Sequence, residues 1–148
     1  MTRKVDDRGS AIIEFVFVAV VLLILLVYLL VAVSAIQTAE TVAALAAREA
    51  GRAFATADTP VQALDRAALA ERIAIAHEPT IEPPELTFVA VGDPCTGAPI
   101  TPTLQPGAQF AVCVRLRVSM PSVPRFVAGR GFTAIGRYVV HVDEYRST

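Results

Sequence analysis

Phe15 to Val33 is nineteen residues without a charge or a proline. Ser34 interrupts the run and Ala35-Ile36 extend it. As a helix, Phe15 to Ile36 spans roughly 33 Å at about 1.5 Å per residue. The hydrocarbon core of a bilayer is about 30 Å thick. One transmembrane helix fits this length. Its β-branched residues, Val16, Val18, Val20, Val21, Ile24 and Val27, are no obstacle, because a lone span must satisfy its backbone within itself and so must be helical. A buried helix of a soluble core is the competing reading, and it rarely stays apolar on every face for so long. Composition agrees: 54% of the 148 residues are hydrophobic and 18% charged, which excludes a disordered chain and points to one very apolar segment joined to an ordinary domain. The formal net charge of −1 provides no global basic field for nucleic acid.

Flanking charge sets the orientation. Arg3, Lys4 and Arg8 precede the apolar run, whereas Arg48 and Arg52 lie more than ten residues beyond it. The positive-inside bias places the N-terminus in the cytoplasm and the C-terminal bulk outside. Glu14, with apolar neighbours on both sides, then needs a reason. A carboxylate well inside a bilayer costs at least about 2.5 to 3.5 kcal/mol. One reason is helix-start electrostatics. Another follows if the chain is cut after Gly9, which leaves an α-ammonium on Ser10. Glu14 is then the fifth mature residue and shares a helix face with that amine. It can pair with its own amine or with that of a neighbouring subunit.

A short charged leader, Gly9, a small residue, Glu14-Phe15 and about twenty apolar residues resemble a type IV prepilin. Glu14-Phe15 is similar to the Glu-Tyr/Phe pair of the tight-adherence (Tad/Flp) subclass. Ala46-Ala47-Arg48-Glu49-Ala50-Gly51-Arg52-Ala53 resembles the Ala/Arg-rich stretch that follows the membrane helix in TadE-like pseudopilins, and Val140 to Arg146 resembles their last strand. The resemblance implies a leader over residues 1–9, cleavage between Gly9 and Ser10 by a prepilin peptidase, and subunit assembly through Glu14 and Phe15. The major pilin of that system is little more than a membrane helix, so the large domain here implies a minor pilin or pseudopilin whose partners are other pilin subunits and the lipid bilayer. Val33-Ser34-Ala35 also resembles an ordinary signal-peptidase site, but the apolar run exceeds the usual 7 to 15 residues and begins with a charge.

The organisation expected is a transmembrane helix over 10–36, its extracytoplasmic continuation over 37–56 and an α+β domain over 57–148. Gln37 to Ala55 is rich in strong helix formers. Ala35, Ala39, Ala43, Ala47, Gly51 and Ala55 recur four apart, a ladder that lets another helix approach closely or that simply reflects abundant alanine. Thr59 reads as an N-cap, Pro60 as the first helical position and Gln62 as the partner in a capping box. That helix runs to about Ala76, with Val61, Leu64, Ala68, Leu69 and Ile73 as its apolar face. Strands are expected over Leu86–Val91, Phe110–Met120 and Ala134–Tyr145, separated by Pro/Gly-rich loops at 92–109 and 121–133. In the central strand Phe110, Val112, Val114, Leu116, Val118 and Met120 share one face, and Ala111, Cys113, Arg115, Arg117 and Ser119 the other. An antiparallel sheet of about three strands packed on the long helix follows. Outside the cytoplasmic membrane Cys95 and Cys113 are permitted a disulfide, which would close a loop of about 19 residues for roughly 3 kcal/mol. Two unpaired thiols are the alternative.

Catalytic motifs are absent. Gly129 to Ala134 matches G-x-G-x-x-A, but it opens a strand and not a helix, and reads as loop glycines. His141 and Asp143 are too few for a metal site or a catalytic centre, and His77-Glu78 reads as a helix end. No enzyme activity, cofactor or metal is expected. Residues 57–114 carry two arginines against seven acids, and residues 115–148 six arginines against two acids. The two halves either neutralise each other within one domain or form a contact between subunits. The arginines lack interleaved aromatics, which disfavours nucleic acid. The function expected is that of a non-enzymatic minor pilin or pseudopilin of a Tad-type pilus or related secretion apparatus. The competing class is a membrane-anchored extracytoplasmic binding or regulatory domain, and a secreted protein comes third.

Overall fold

The computed structural model describes residues 8–77, 82–118 and 131–145, with side chains from Ile12 onward. The elements are α1 (Arg8–Ala55), α2 (Pro60–Ile75), β1 (Glu85–Val89), β2 (Gln109–Val118) and β3 (Phe132–His141). The chain is α+β. It divides into two compact units, Met1–Gln37 and Thr38–Thr148. The first is helical throughout its described length. The second holds the outer part of α1, α2 and one antiparallel sheet in the order β1-β2-β3.

β2 is central. Phe110 pairs with Val140, Val114 with Gly136, and Val118 with Phe132 on one side; Val112 pairs with Phe88 on the other. This register puts Phe110, Val112, Val114, Leu116 and Val118 on one buried face, where they meet Ala39, Ala43, Ala46, Ala47, Ala50 and Phe54 of α1. Met120 and Ser119 lie outside the described residues. Phe54, Phe88 and Phe110 form a triangle with ring centroids 5.1 to 5.8 Å apart, tilted or edge-on, contacts worth about 0.5 to 1.5 kcal/mol each beyond their burial.

The small-residue ladder now has a use inside the chain. Ala39, Ala43, Ala47 and Gly51 are all buried. A side chain at Gly136 would collide with the Ala43 carbonyl, and one at Gly51 would come within 2.7 Å of Tyr138 and Val140. These rungs let α1 lie directly on β3.

α2 begins as expected. Thr59 is extended, its Oγ1 accepts from the Gln62 amide at 3.4 Å, and Pro60 opens the helix. Its buried face differs from expectation. Val61, Leu64, Leu69 and Ile73 are exposed, while Ala63, Ala67 and Glu71 are buried. The aromatic triangle already fills the layer between helix and sheet, so α2 seats on its smallest side chains.

Strand ends also shift. β1 stops at Val89, because Ala90 accepts from the Asp93 amide at 3.0 Å and turns the chain. β3 starts two residues early, after Gly131 at φ 85°. It ends at His141: the Asp143 carboxylate accepts from the Tyr145 amide at 2.9 Å, bending the backbone out of the ladder. Arg146 and most of the loop 121–133 lie outside the described residues.

On the sheet face away from α1, Cys95 and Cys113 form a disulfide with Cα atoms 5.6 Å apart. It pins the loop after β1 over Val89, Ala111 and Val139. Ile100 strengthens that seat by donating its amide to Phe88 O at 2.8 Å.

Candidate assembly surface on the N-terminal helix

Within the first unit, every large apolar side chain from Ile12 to Val31 is exposed, Phe15 at 73% and Leu26, among the least exposed, at 47%. This is an apolar cylinder, and the helix is long and apolar enough to cross a membrane by length and composition. Apolar surface of this extent is not carried by a monomer in water and requires lipid or other apolar helices around it.

The resemblance-derived site residues lie at the head of this cylinder. Gly9 and Ser10 fall in the first turn of α1, and their side chains are outside the described set. Glu14 is one turn further on and exposed. Helical spacing of four puts it on the same face as Ser10. Phe15 stands beside it. The ion pairs among the described residues are Arg66–Asp58 at 3.8 Å and Arg115–Glu85 at 3.1 Å, so the Glu14 carboxylate is open to a cation from outside its own described neighbours. An exposed acid at the end of an apolar helix is suited to register such a helix against another that offers one positive charge at a fixed level.

The charge asymmetry of the second unit is partly satisfied internally. Register places Glu85 opposite Arg115, and the two pair. The Arg137 guanidinium donates to the Val91 carbonyl. Arg125, Arg130, Arg146 and Glu78 fall outside the described residues. His141 is exposed at the end of β3, and Asp143 is engaged in its turn, so the two do not converge. Among the described residues no three His, Cys, Asp or Glu side chains are grouped to hold a metal ion.

Sequence reasoning missed Glu71. Its side chain is 4% exposed, and Oε1 has no hydrogen-bond partner among the described residues. Desolvation pushes its pKa up from 4.5 to about 7, with Arg72 pulling the other way. A signal for it was present: Ala63, Ala67, Ala70 and Ala74 repeat at helical spacing, and this small-residue face, with Glu71 on its border, matches the alanine face of α1. Apolar bulk outweighed it in the periodicity.

Comparison with family models, with curated proteins and with solved structures finds no match to this chain. The layout itself, a long N-terminal apolar helix followed by a small α+β domain with an antiparallel sheet and a disulfide, is consistent with pilin-like architecture.

Proposed function

We propose that this chain is a minor pilin or pseudopilin that takes part in assembling a Tad-type pilus or a related secretion apparatus. The observation that carries the reading is the uncovered apolar cylinder of α1 with Glu14 at its head, on a helix that also forms part of the core of a disulfide-bonded domain. The chain is held in the cytoplasmic membrane with its N-terminus inside and the α+β domain outside, where the Cys95–Cys113 bridge is stable to the redox environment. A prepilin peptidase hydrolyses the Gly9–Ser10 bond; water supplies the new Gly9 carboxylate and leaves Ser10 with an α-ammonium. Glu14 then pairs with the Ser10 amine of a neighbouring subunit. Burying the two charges together in an apolar bundle is tolerable only as a pair, which fixes the stagger between helices. Phe15 packs beside that pair. The role is structural, and no enzymatic step is assigned to the chain.

Replacing Glu14 tests the reading. Glu14→Gln leaves size nearly unchanged and removes the negative charge. If Glu14 merely stabilises the helix start, the change costs about 0.3 to 1 kcal/mol and co-assembly persists. If it neutralises a neighbour's amine, a buried ammonium is left unpaired, at about 3 to 5 kcal/mol. The expected result is membrane-inserted, correctly processed protein that no longer co-purifies with other pilus subunits. Normal co-assembly of the processed variant would instead favour a membrane-anchored domain that never enters a filament.

A further inference from the structure

α2 is held to its domain by an unusual face. Ala63, Ala67 and Glu71 are its buried residues, with Ala74 and Ile75 partly buried against the α1–sheet core. Val61, Leu69 and Ile73, which would have made a strong apolar grip, are 59% exposed or more. Alanine methyl groups and one carboxyl therefore do the seating along the body of the helix, with Ile75 at its end. The start of the helix is tethered separately, by the Thr59 cap, by Arg66 donating to Thr56 O at 3.4 Å and by the Arg66–Asp58 pair. Thr56 to Thr59 links α1 to α2 and is the natural pivot. Glu71 lies three turns from that pivot, where the hold depends on it.

The charged groups on the elements packed around α2 do not relieve Glu71. On the outer part of α1, Glu40, Arg48 and Arg52 are exposed and Glu49 is half-buried; on β1, Glu85 is engaged with Arg115. None of them bonds Oε1. Among the described residues, Arg72, next along α2, is the cation that acts on Glu71, and it is itself exposed. A neutral carboxyl can sit between alanine faces at modest cost, whereas a carboxylate there has one oxygen, Oε1, that has lost its water and has no donor among the described residues.

We propose that α2 is a proton-controlled latch: it is docked on the domain while Glu71 is protonated and released from the pivot at Thr56–Thr59 when Glu71 ionises. Release frees the alanine face and Glu71 and uncovers the side of the aromatic cluster on which Ala63 and Ala67 pack, while the sheet and the disulfide stay closed. The domain's surface thus responds to the acidity of the compartment it faces, whether or not the chain enters a filament.

With the carboxyl titrating near 7 when docked and near 4.5 when released, the equilibrium for release rises roughly 30-fold between pH 5.5 and 8.5. Hydrogen exchange of the full chain in lipid nanodiscs reads this directly, after correction for the intrinsic pH dependence of exchange. Amides of 63–75 should lose protection about 30-fold over that range while those of β2 hold theirs. In Glu71→Gln and Glu71→Ala, which keep a neutral or an all-alanine face, the α2 amides should stay protected at pH 8.5. Unchanged corrected protection of α2 across the range would overturn the proposal. So would an equal loss in β2, which means global unfolding, or the same pH dependence in either folded variant.

Discussion

Gly136 and Gly51 are set by contact, since α1 lies so close to β3 that neither position has room for a β-carbon. At Gly136 the obstacle is the backbone of Ala43, which cannot swing away like a side chain. Gly136→Ala should therefore destabilise the domain by about 3 kcal/mol or more, and Gly51→Ala by less, because Tyr138 and Val140 can adjust. Chemical denaturation of the two variants should rank them in that order. Glu71 makes a different demand at the same scale. Its native pKa, about 7, lies above its unfolded value of 4.5, so between these values the folded chain binds more protons than the unfolded one. Stability is then greatest below about pH 4.5 as far as this group is concerned and falls as pH rises to about 7, by up to about 3 kcal/mol. Glu71→Gln should flatten that slope and raise the melting temperature at pH 8, a comparison one pair of thermal scans can make.

At the scale of elements, legibility followed the strength of the local physical signal. α1 was legible because an apolar run of that length has few other solutions, and β2 because Phe110 to Val118 alternates with period two and one face is covered. The start of α2 was legible through Thr59 and Pro60, whose chemistry is local. Its orientation was not. Val61, Leu64, Leu69 and Ile73 outweigh alanines in any hydrophobic pattern, yet the space over the sheet is filled by Phe54, Phe88 and Phe110, which are more than twenty residues apart from one another in sequence. The end of β3 was misjudged for a local reason: Asp143 competes for a backbone amide and turns the chain. For Cys95 and Cys113 the sequence allowed either a bridge or two thiols, and the structure has the bridge, which pins a loop that has little regular structure of its own. Cys113→Ser, or reduction, should cost about 3 kcal/mol and raise protease sensitivity first within residues 90–108. A loop cut no faster after reduction would show that the Ile100–Phe88 bond and local packing hold it without the bridge.

The whole molecule joins an apolar helical unit that needs lipid or other helices around it to an α+β unit that satisfies its own core. Glu14 and Phe15 stand exposed at the start of the apolar helix, and the proposal gives them, with Gly9 and Ser10, a role between subunits that a single chain does not display. A pilin-like role requires the chain to be processed between Gly9 and Ser10 and then retained in the membrane. Intact-mass analysis of the protein isolated from its native membrane tests this most directly. The account predicts a membrane-embedded chain whose mass corresponds to Ser10 as first residue, and persistence of the longer form when Gly9→Leu blocks the peptidase. A native chain that begins at Met1 would contradict the account in favour of a simple anchor, and one that begins at Ile36 would contradict it in favour of secretion.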